Sequence, residues 1–378
     1  MNIAFFFTYG YSLKTWKESG VLDRELKILE FLTSRYGYKF TLFTYGDSSE
    51  FKLLNNKKNF KIVPVYNVIK KSNIKLINYI KSLFLPLFLK KYLSEINIIH
   101  QHQLQGVWVS LLIKILYRKP LVVRTGYDVY TFSKLEKKSK LKILTYKILT
   151  YFSLVLCNLY TVTSKNDFEI LKNTFELKNN KIKIRPNFIE NIKINSDLDK
   201  RYKNRILSVG RLVNQKNFTK LINEFSNTFG EYEIDIVGSG ELKSALIKEA
   251  KAKNVKLNLL GNLTYKDLME LYQKYLFYIA PSVFEGNPKT VLEAMASGCI
   301  VIASKIENHS ELILENKEGL LFDLNQPSLL QNISNLRNNM SLCKDISENA
   351  INRVQLNNSI DVVAEKIDKD YRNILQLS

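Results

Sequence analysis

The sequence predicts an α/β protein built as two doubly wound parallel-sheet domains facing a cleft, and three observations carry that prediction. The chain has 378 residues, more than one hydrophobic core usually serves. Short apolar runs of strand length alternate with helical periodicities from end to end, the pattern of parallel α/β construction. Between residues 186 and 204 the periodicity lapses into a polar, Asn- and Asp-rich stretch, where a domain boundary falls.

The first domain, expected over residues 1–188, opens on an apolar strand at 2–8 closed by a Gly10 turn. Leu22, Leu26, Leu29 and Leu32 then mark one face of a helix. Strands follow at 38–45, 61–65, 96–101, 121–124, 159–163 and 181–185. The second domain, expected over 189–358, places strands at 205–209, 233–237, 255–260, 276–280, 299–303 and 319–322. Helices are predicted between them at 216–225, 241–252, 266–273 and 288–297. A C-terminal segment, 359–378, holds an amphipathic helical stretch over 360–377 that is long enough to cross back to the first domain.

Composition narrows the class. Apolar residues make up 46% of the chain and charged ones 24%, with 14 Gly and 7 Pro, which excludes disordered and fibrous proteins. Cys157, Cys299 and Cys343 are odd in number and lack CxxC spacing, so they read as reduced thiols of a cytoplasmic protein. Residues 1–8 lack the basic start and apolar length of a secretory signal. The uncharged run 148–164 contains Thr, Ser, Asn and Tyr and sits at the lower length limit for a span, so no transmembrane helix is expected.

The net charge of +20 is concentrated: Lys and Arg exceed Asp and Glu by 19 over residues 1–190 and by 1 over 191–378. Within the first half, 76–91 mixes aromatic and aliphatic residues with bracketing lysines, the composition of an interfacial segment. In 134–142, Lys134, Lys138 and Lys142 would stack on one helical face at i, i+4 and i+8. Three accounts fit this charge. It is a solvated lysine face, or it meets an anionic membrane surface, or it binds nucleic acid, for which no zinc-finger, RRM, KH or helix-turn-helix signature is present.

Three motifs carry chemistry. In residues 208–217 a strand ends on Gly210 and delivers Arg211 and Lys216 in one short loop. A guanidinium fork and an ammonium point charge suit two adjacent phosphates, although a solvated turn uses the same residues. Gly238-Ser239-Gly240 is a tight turn; Lys243 stands where a dinucleotide fingerprint needs glycine. Residues 281–298 place Glu285 before a helix with Asn287 as N-cap, Pro288 as first helical residue and Gly298 as stop. Such a helix start attracts phosphate. Glu285 suits sugar hydroxyls, or merely the helix dipole. Glu293 suits a ribose diol, or is a surface glutamate.

These residues resemble the retaining nucleotide-sugar glycosyltransferases of family 4. The resemblance rests on Glu285 and Glu293 in 285–298, Gly210-Arg211 through Lys216-Asn217, the Gly238–Gly240 turn, 319–323 and Arg185-Pro186-Asn187, covering most of 185–325 in order. It implies a GT-B fold of two Rossmann-like domains, acceptor-binding first and donor-binding second. It also implies roles: Arg211 and Lys216 on the donor diphosphate, Glu285 on the donor sugar, Glu293 on the ribose. The donor site is expected to comprise Gly210, Arg211, Lys216, Gly238, Gly240, Glu285, Gly286, Asn287, Lys289, Thr290 and Glu293.

In the first half, residues 98–102 are similar to the family's strand-end His-x-His element, and 123–128 occupies the place of its His-Gly-x-Asp loop, with Thr125 where the His belongs. His102 and Asp128 are the acceptor-side candidates, and His102 is placed with Glu285, Arg211 and Lys216 as catalytic; a structural polar contact is the other reading of His102. Residues 307–311 stand near the family's Gly-Gly and Pro-Glu elements and depart from them. No cofactor and no metal are expected, since Asp197-Leu198-Asp199 and Asp368-Lys369-Asp370 follow no donor-domain strand. The expected partners are a nucleoside diphosphate sugar, a glycan or lipid-linked acceptor and an anionic membrane surface, without nucleic acid. The expected location is the cytoplasm, at the inner face of the membrane. The rival functions are a nucleotide-sugar epimerase of the same fold and a nonenzymatic nucleic-acid binder.

Overall fold

The structure is a computed structural model that describes every residue except 55, 56, 58, 177–180, 195, 196, 227, 229, 377 and 378. The chain divides into two compact units. Met1–Arg185 and Ala364–Ser378 form the first, and Pro186–Val363 the second.

The first unit contains seven strands: β1 (Asn2–Phe6), β2 (Lys39–Thr44), β3 (Phe60–Pro64), β4 (Ile98–His102), β5 (Leu121–Arg124), β6 (Leu159–Val162) and β7 (Ile182–Ile184). They lie parallel in the order 3-2-1-4-5-6-7, with Phe5 opposite Leu42 on one side and His100 on the other. A parallel sheet covered on both faces buries successive residues, so its strands read as apolar runs rather than alternations. Ala4 and Phe6 face one core with Leu85, Leu89 and Val107, while Ile3 and Phe5 face another with Leu26, Leu29 and Leu32.

The C-terminal helix Ile360–Gln376 completes that second core with Ala364, Tyr371 and Ile374. Its polar side is anchored as well. Asp370 accepts from Arg185 Nε at 2.6 Å and Nη2 at 2.7 Å and from Lys183 at 3.0 Å. Tyr38 donates to Asp368 at 2.5 Å. Leu377, the end of the predicted helical stretch, lies outside the described residues.

The second unit has six parallel strands, β8 (Tyr202–Val209), β9 (Glu233–Val237), β10 (Lys256–Gly261), β11 (Tyr275–Ala280), β12 (Ile300–Ser304) and β13 (Leu320–Phe322), in the order 10-9-8-11-12-13. All six residues of β11 are buried. The order reverses between β8 and β11, so loops leaving the carboxyl ends of these strands diverge to opposite sides and open a crevice between them.

Two local expectations are corrected. Lys134, Lys138 and Lys142 share no helical face: Lys134 lies in the last turn of helix Val129–Leu135, Lys138 follows the turn in which Lys137 has φ of 52°, and Lys142 belongs to helix Lys140–Leu156. The cap of helix Lys289–Ala296 is Pro288, with φ −70° and ψ 107°, not Asn287. Asn287 is drawn instead to Asn187, accepting from its backbone N–H at 3.1 Å and from its side-chain amide at 2.6 Å.

Candidate active site

At the carboxyl end of β8, Gly210 N–H donates to Val237 O at 2.9 Å and Leu212 N–H to Ser239 O at 2.9 Å. These bonds press the 210–212 and 238–240 loops backbone to backbone. A Cβ on Gly238, whose φ is +139°, would sit 2.0 Å from Gly210 O, and one on Gly240 would sit 2.4 Å from Leu212 O. Both glycines are therefore required by the packing of the loops. On the other side of Gly210 the Lys216 stem lies across its Cα, with Cδ and Cε 3.1 Å from where a Cβ would stand.

That path brings the Lys216 ammonium to Glu285, in the loop after β11, where the two form an ion pair. Glu285 is buried. Ser282 donates to its Oε1 at 2.6 Å, and Gln215 Nε2 reaches its Oε2 at 3.4 Å and Phe284 O at 2.9 Å. Burial pushes the Glu285 carboxyl up, but Lys216, His309 and these hydrogen bonds outweigh it and hold the group below its ordinary value. The carboxylate is ionised. Arg211, by contrast, is exposed and makes no ion pair with any described residue.

The helix Lys289–Ala296 starts next to this pair, and no side chain caps it. Its first-turn N–H groups and positive dipole end favour an anion. Gly286 and Asn287 are buried and Thr290 half-buried, while the Lys289 ammonium lies 5.2 Å from the Phe188 ring centre. Glu293, just over one turn in, is fully buried, and Tyr272 donates to its Oε2 at 3.3 Å.

Sequence reasoning assigned no role to His309, which follows β12 and is fully buried. Its Nδ1 lies 2.9 Å from Ser304 O, while its Nε2 is buried without a hydrogen-bond partner. Ser304 Oγ in turn donates to Ser282 O at 2.5 Å, tying the β12 end to the β11 loop. Burial holds the imidazole below its ordinary 6.5, against the pull of Glu285. A neutral ring donating Nδ1–H to Ser304 leaves Nε2 as a buried acceptor. The signal available was rarity, because the chain has only 3 His.

A depressed histidine costs stability on the acid side, since the unfolded chain takes up the proton first. Wild-type stability should therefore fall relative to His309→Gln as pH drops below about 6.5, by up to about 1.4 kcal/mol per pH unit. Urea unfolding of both proteins between pH 7.5 and 5.5, roughly spanning the imidazole range, measures the difference. A constant gap would show that His309 is not held neutral.

In the first unit, His102 ends β4 at the other order reversal, between β1 and β4. Its ring packs 5.4 Å from Phe5 and 5.6 Å from Trp16, and its carbonyl accepts from Thr8 Oγ1 at 3.1 Å. Asp128 caps helix Val129–Leu135 by accepting from Thr131 N–H at 2.8 Å. Its Oδ1 is buried without a hydrogen-bond partner, and burial raises its carboxyl pKa. The Asp-x-Asp carboxylates are engaged in ion pairs: Asp197 with Lys200, Asp199 with Lys203 and Lys344, Asp368 with Arg372, and Asp370 with Arg185.

Residues 190–353 match the model of the family described as glycosyl transferases group 1. Among curated proteins, the chain is 26% identical over 330 residues to the Campylobacter jejuni N-acetylgalactosamine-N,N'-diacetylbacillosaminyl-diphospho-undecaprenol 4-alpha-N-acetylgalactosaminyltransferase, covering 83% of this chain and 89% of that one. It is 26% identical over 364 residues to the amylovoran biosynthesis glycosyltransferase AmsD of Erwinia amylovora, covering 94% and 96%. Among solved structures, a sucrose-phosphate synthase from Thermosynechococcus elongatus superposes with a TM-score of 0.79 at 15% identity, covering 100% of both chains.

Proposed function

We propose that this chain, whose residues 190–353 match the glycosyl transferases group 1 model and which shares the GT-B architecture of its structural neighbours, transfers a sugar, with retention at the anomeric carbon, from a nucleoside diphosphate to a lipid-linked glycan in surface polysaccharide assembly. The observation that carries the reading is the meeting of Lys216, Glu285 and His309 beside an uncapped helix start, with Arg211 exposed on the same loop as Lys216. The diphospho-undecaprenol acceptor named for the Campylobacter relative supports the lipid-linked class. The amylovoran relative supports the polysaccharide setting.

As the glycosidic bond breaks, negative charge grows on the departing diphosphate and positive charge on the sugar ring. Arg211, Lys216 and the N–H groups of the Lys289–Ala296 start stabilise the first. The ionised Glu285 and the His309 Nε2 acceptor face the hydroxyl-bearing sugar. Glu293 holds the ribose diol. Bringing a diphosphate to Lys216 makes that ammonium divide its interaction between Glu285 and phosphate, which couples donor binding to the carboxylate that positions the sugar. The protein supplies the positive charge itself, so no metal is needed. The leaving phosphate takes the acceptor proton.

A panel of nucleotide sugars, each incubated with an undecaprenyl-diphosphate-linked sugar, tests this by release of nucleoside diphosphate and by NMR of the new anomeric centre. The expected result is acceptor-dependent release, an anomer matching the donor, and a rate unchanged by chelator. Release without acceptor, accompanied by a free epimerised sugar, would replace transfer with epimerisation. An inverted anomer would overturn retention.

A further inference from the structure

We propose that helices Lys75–Leu93 and Lys140–Leu156 of the first unit, with Val107–Tyr117 between them, form an insertion face for a bilayer of anionic phospholipid. This deepens the membrane side of the proposed function and rests on it only for its purpose. An ordinary surface helix turns its apolar stripe to the core and its polar stripe to water. Here the outward stripe is apolar.

On Lys75–Leu93, Leu76, Ile80, Leu83, Phe84, Leu87 and Phe88 recur at three- and four-residue spacing and are all exposed, Leu87 by 59% and Phe88 by 54%. The inward side of the same helix includes Ser82 and Pro86. On Lys140–Leu156 the exposed residues include Leu141, Leu144, Ile148, Phe152 and Val155, while Thr150 and Ser153 are buried. Ile115 and Leu116 are also exposed at the end of Val107–Tyr117. Burying one such side chain is worth about 1.5–3 kcal/mol, so an apolar face of this extent calls for a cover.

The orientation is fixed by specific contacts. Trp108 Nε1 donates to Ser82 Oγ at 2.9 Å and Tyr117 OH to Pro86 O at 3.1 Å, locking Lys75–Leu93 onto Val107–Tyr117. Leu85 and Leu89 from the first helix and Leu154 from the third are fully or almost fully buried in one core. The outward residues are thus held outward.

Charge decides the occupant. The three helices carry Lys75, Lys81, Lys90, Lys91, Lys114, Lys140, Lys142 and Lys147 and not one Asp or Glu. A cover that is apolar at depth and anionic at its surface is the headgroup boundary of an anionic bilayer. A second copy of this face would set lysines against lysines. Among the described residues no helix is long and apolar enough to cross a membrane, so these helices lie in its plane.

The test is co-sedimentation with vesicles of phosphatidylglycerol and phosphatidylcholine, and of phosphatidylcholine alone, using full-length protein. All three native cysteines are buried, so an environment-sensitive fluorophore on Phe88→Cys reports that position. Expected are sedimentation with the anionic vesicles, a blue shift of the label, and binding that partly survives about 0.5 M salt. The double variant Phe84→Ser/Leu87→Ser should weaken vesicle binding about tenfold or more, with the urea unfolding transition followed by the fluorescence of Trp16 and Trp108, both in the first unit, unchanged as evidence of an intact fold. Binding abolished by salt with no shift would reduce the face to electrostatic adhesion and overturn insertion. A shift that grows with protein concentration in the absence of vesicles would assign the face to a second copy. Insertion by a protein that turns over no lipid-linked acceptor would leave this inference standing and overturn the acceptor class instead.

Discussion

Glu285→Gln should lower the rate constant for sugar transfer by about 10²–10³-fold while leaving donor affinity unweakened. The substitution keeps the shape of a side chain that is only 8% exposed and removes its charge. Two consequences follow from the geometry. The sugar loses the ionised carboxylate held ready by Ser282, Gln215 and Lys216. Lys216 loses its protein counter-charge and becomes a more available cation for the diphosphate. Lys216→Met has a different signature, because it weakens donor binding and also leaves Glu285 buried without its main stabilising charge. The double variant should cost much less than the sum of the two, as expected for groups in direct contact. Steady-state kinetics with donor varied, together with direct titration of nucleoside diphosphate, separates these effects. If Glu285→Gln raises KM for the donor with kcat intact, the carboxylate serves binding alone.

The largest expected effect on folding lies elsewhere. Asp370→Asn should destabilise the first unit by about 3 kcal/mol. Asp370 is 3% exposed and takes a two-pronged ion pair from Arg185, with Lys183 as a third partner. Neutralising it leaves two cations at the end of β7 without their anion, which costs more than the absence of the pair would. Urea unfolding followed by fluorescence should show an earlier transition for the variant. Arg185→Met added to Asp370→Asn should recover part of the loss. A variant that unfolds with the wild type would mean that the apolar contacts of Ala364, Tyr371 and Ile374 alone hold the helix.

Much of this architecture was legible in the chain, for a physical reason. Strands of parallel sheets are buried on both faces, so β11, read as Tyr-Leu-Phe-Tyr-Ile-Ala, stands out from the polar loops on either side. Every predicted strand is present in the structure, with ends shifted by a few residues. The loop motifs were equally plain, since Gly210, Arg211 and Lys216 lie close together in one segment and Glu285 and Glu293 in another. What stayed hidden depends on partners distant in sequence. Lys216 and Glu285 are 69 residues apart, and their pairing exists only because β8 and β11 are neighbours. Asn287 has the side chain of a helix cap, yet its Oδ1 accepts from the backbone N–H of Asn187, a hundred positions away, and its carbonyl from the Asn187 side-chain amide, and no side chain caps the helix. His309 carries no motif at all. The lysine and aromatic mixture of residues 76–91 was visible as composition, but which face looked outward was not. Only the seating of Ser82 and Pro86 against Val107–Tyr117 decides that.

The central claim is that a diphosphate is clamped by Arg211, Lys216 and the start of helix Lys289–Ala296. Calorimetric titration with UDP, GDP and ADP, and with the matching monophosphates, tests it most directly in the wild type and in Arg211→Ala/Lys216→Ala. Each charge-assisted hydrogen bond is worth about 1.5–3 kcal/mol. The diphosphate that binds should therefore lose about 10²-fold or more in affinity in the double variant, with a markedly smaller loss for its monophosphate. A double variant that binds the diphosphate as tightly as the wild type would contradict the account.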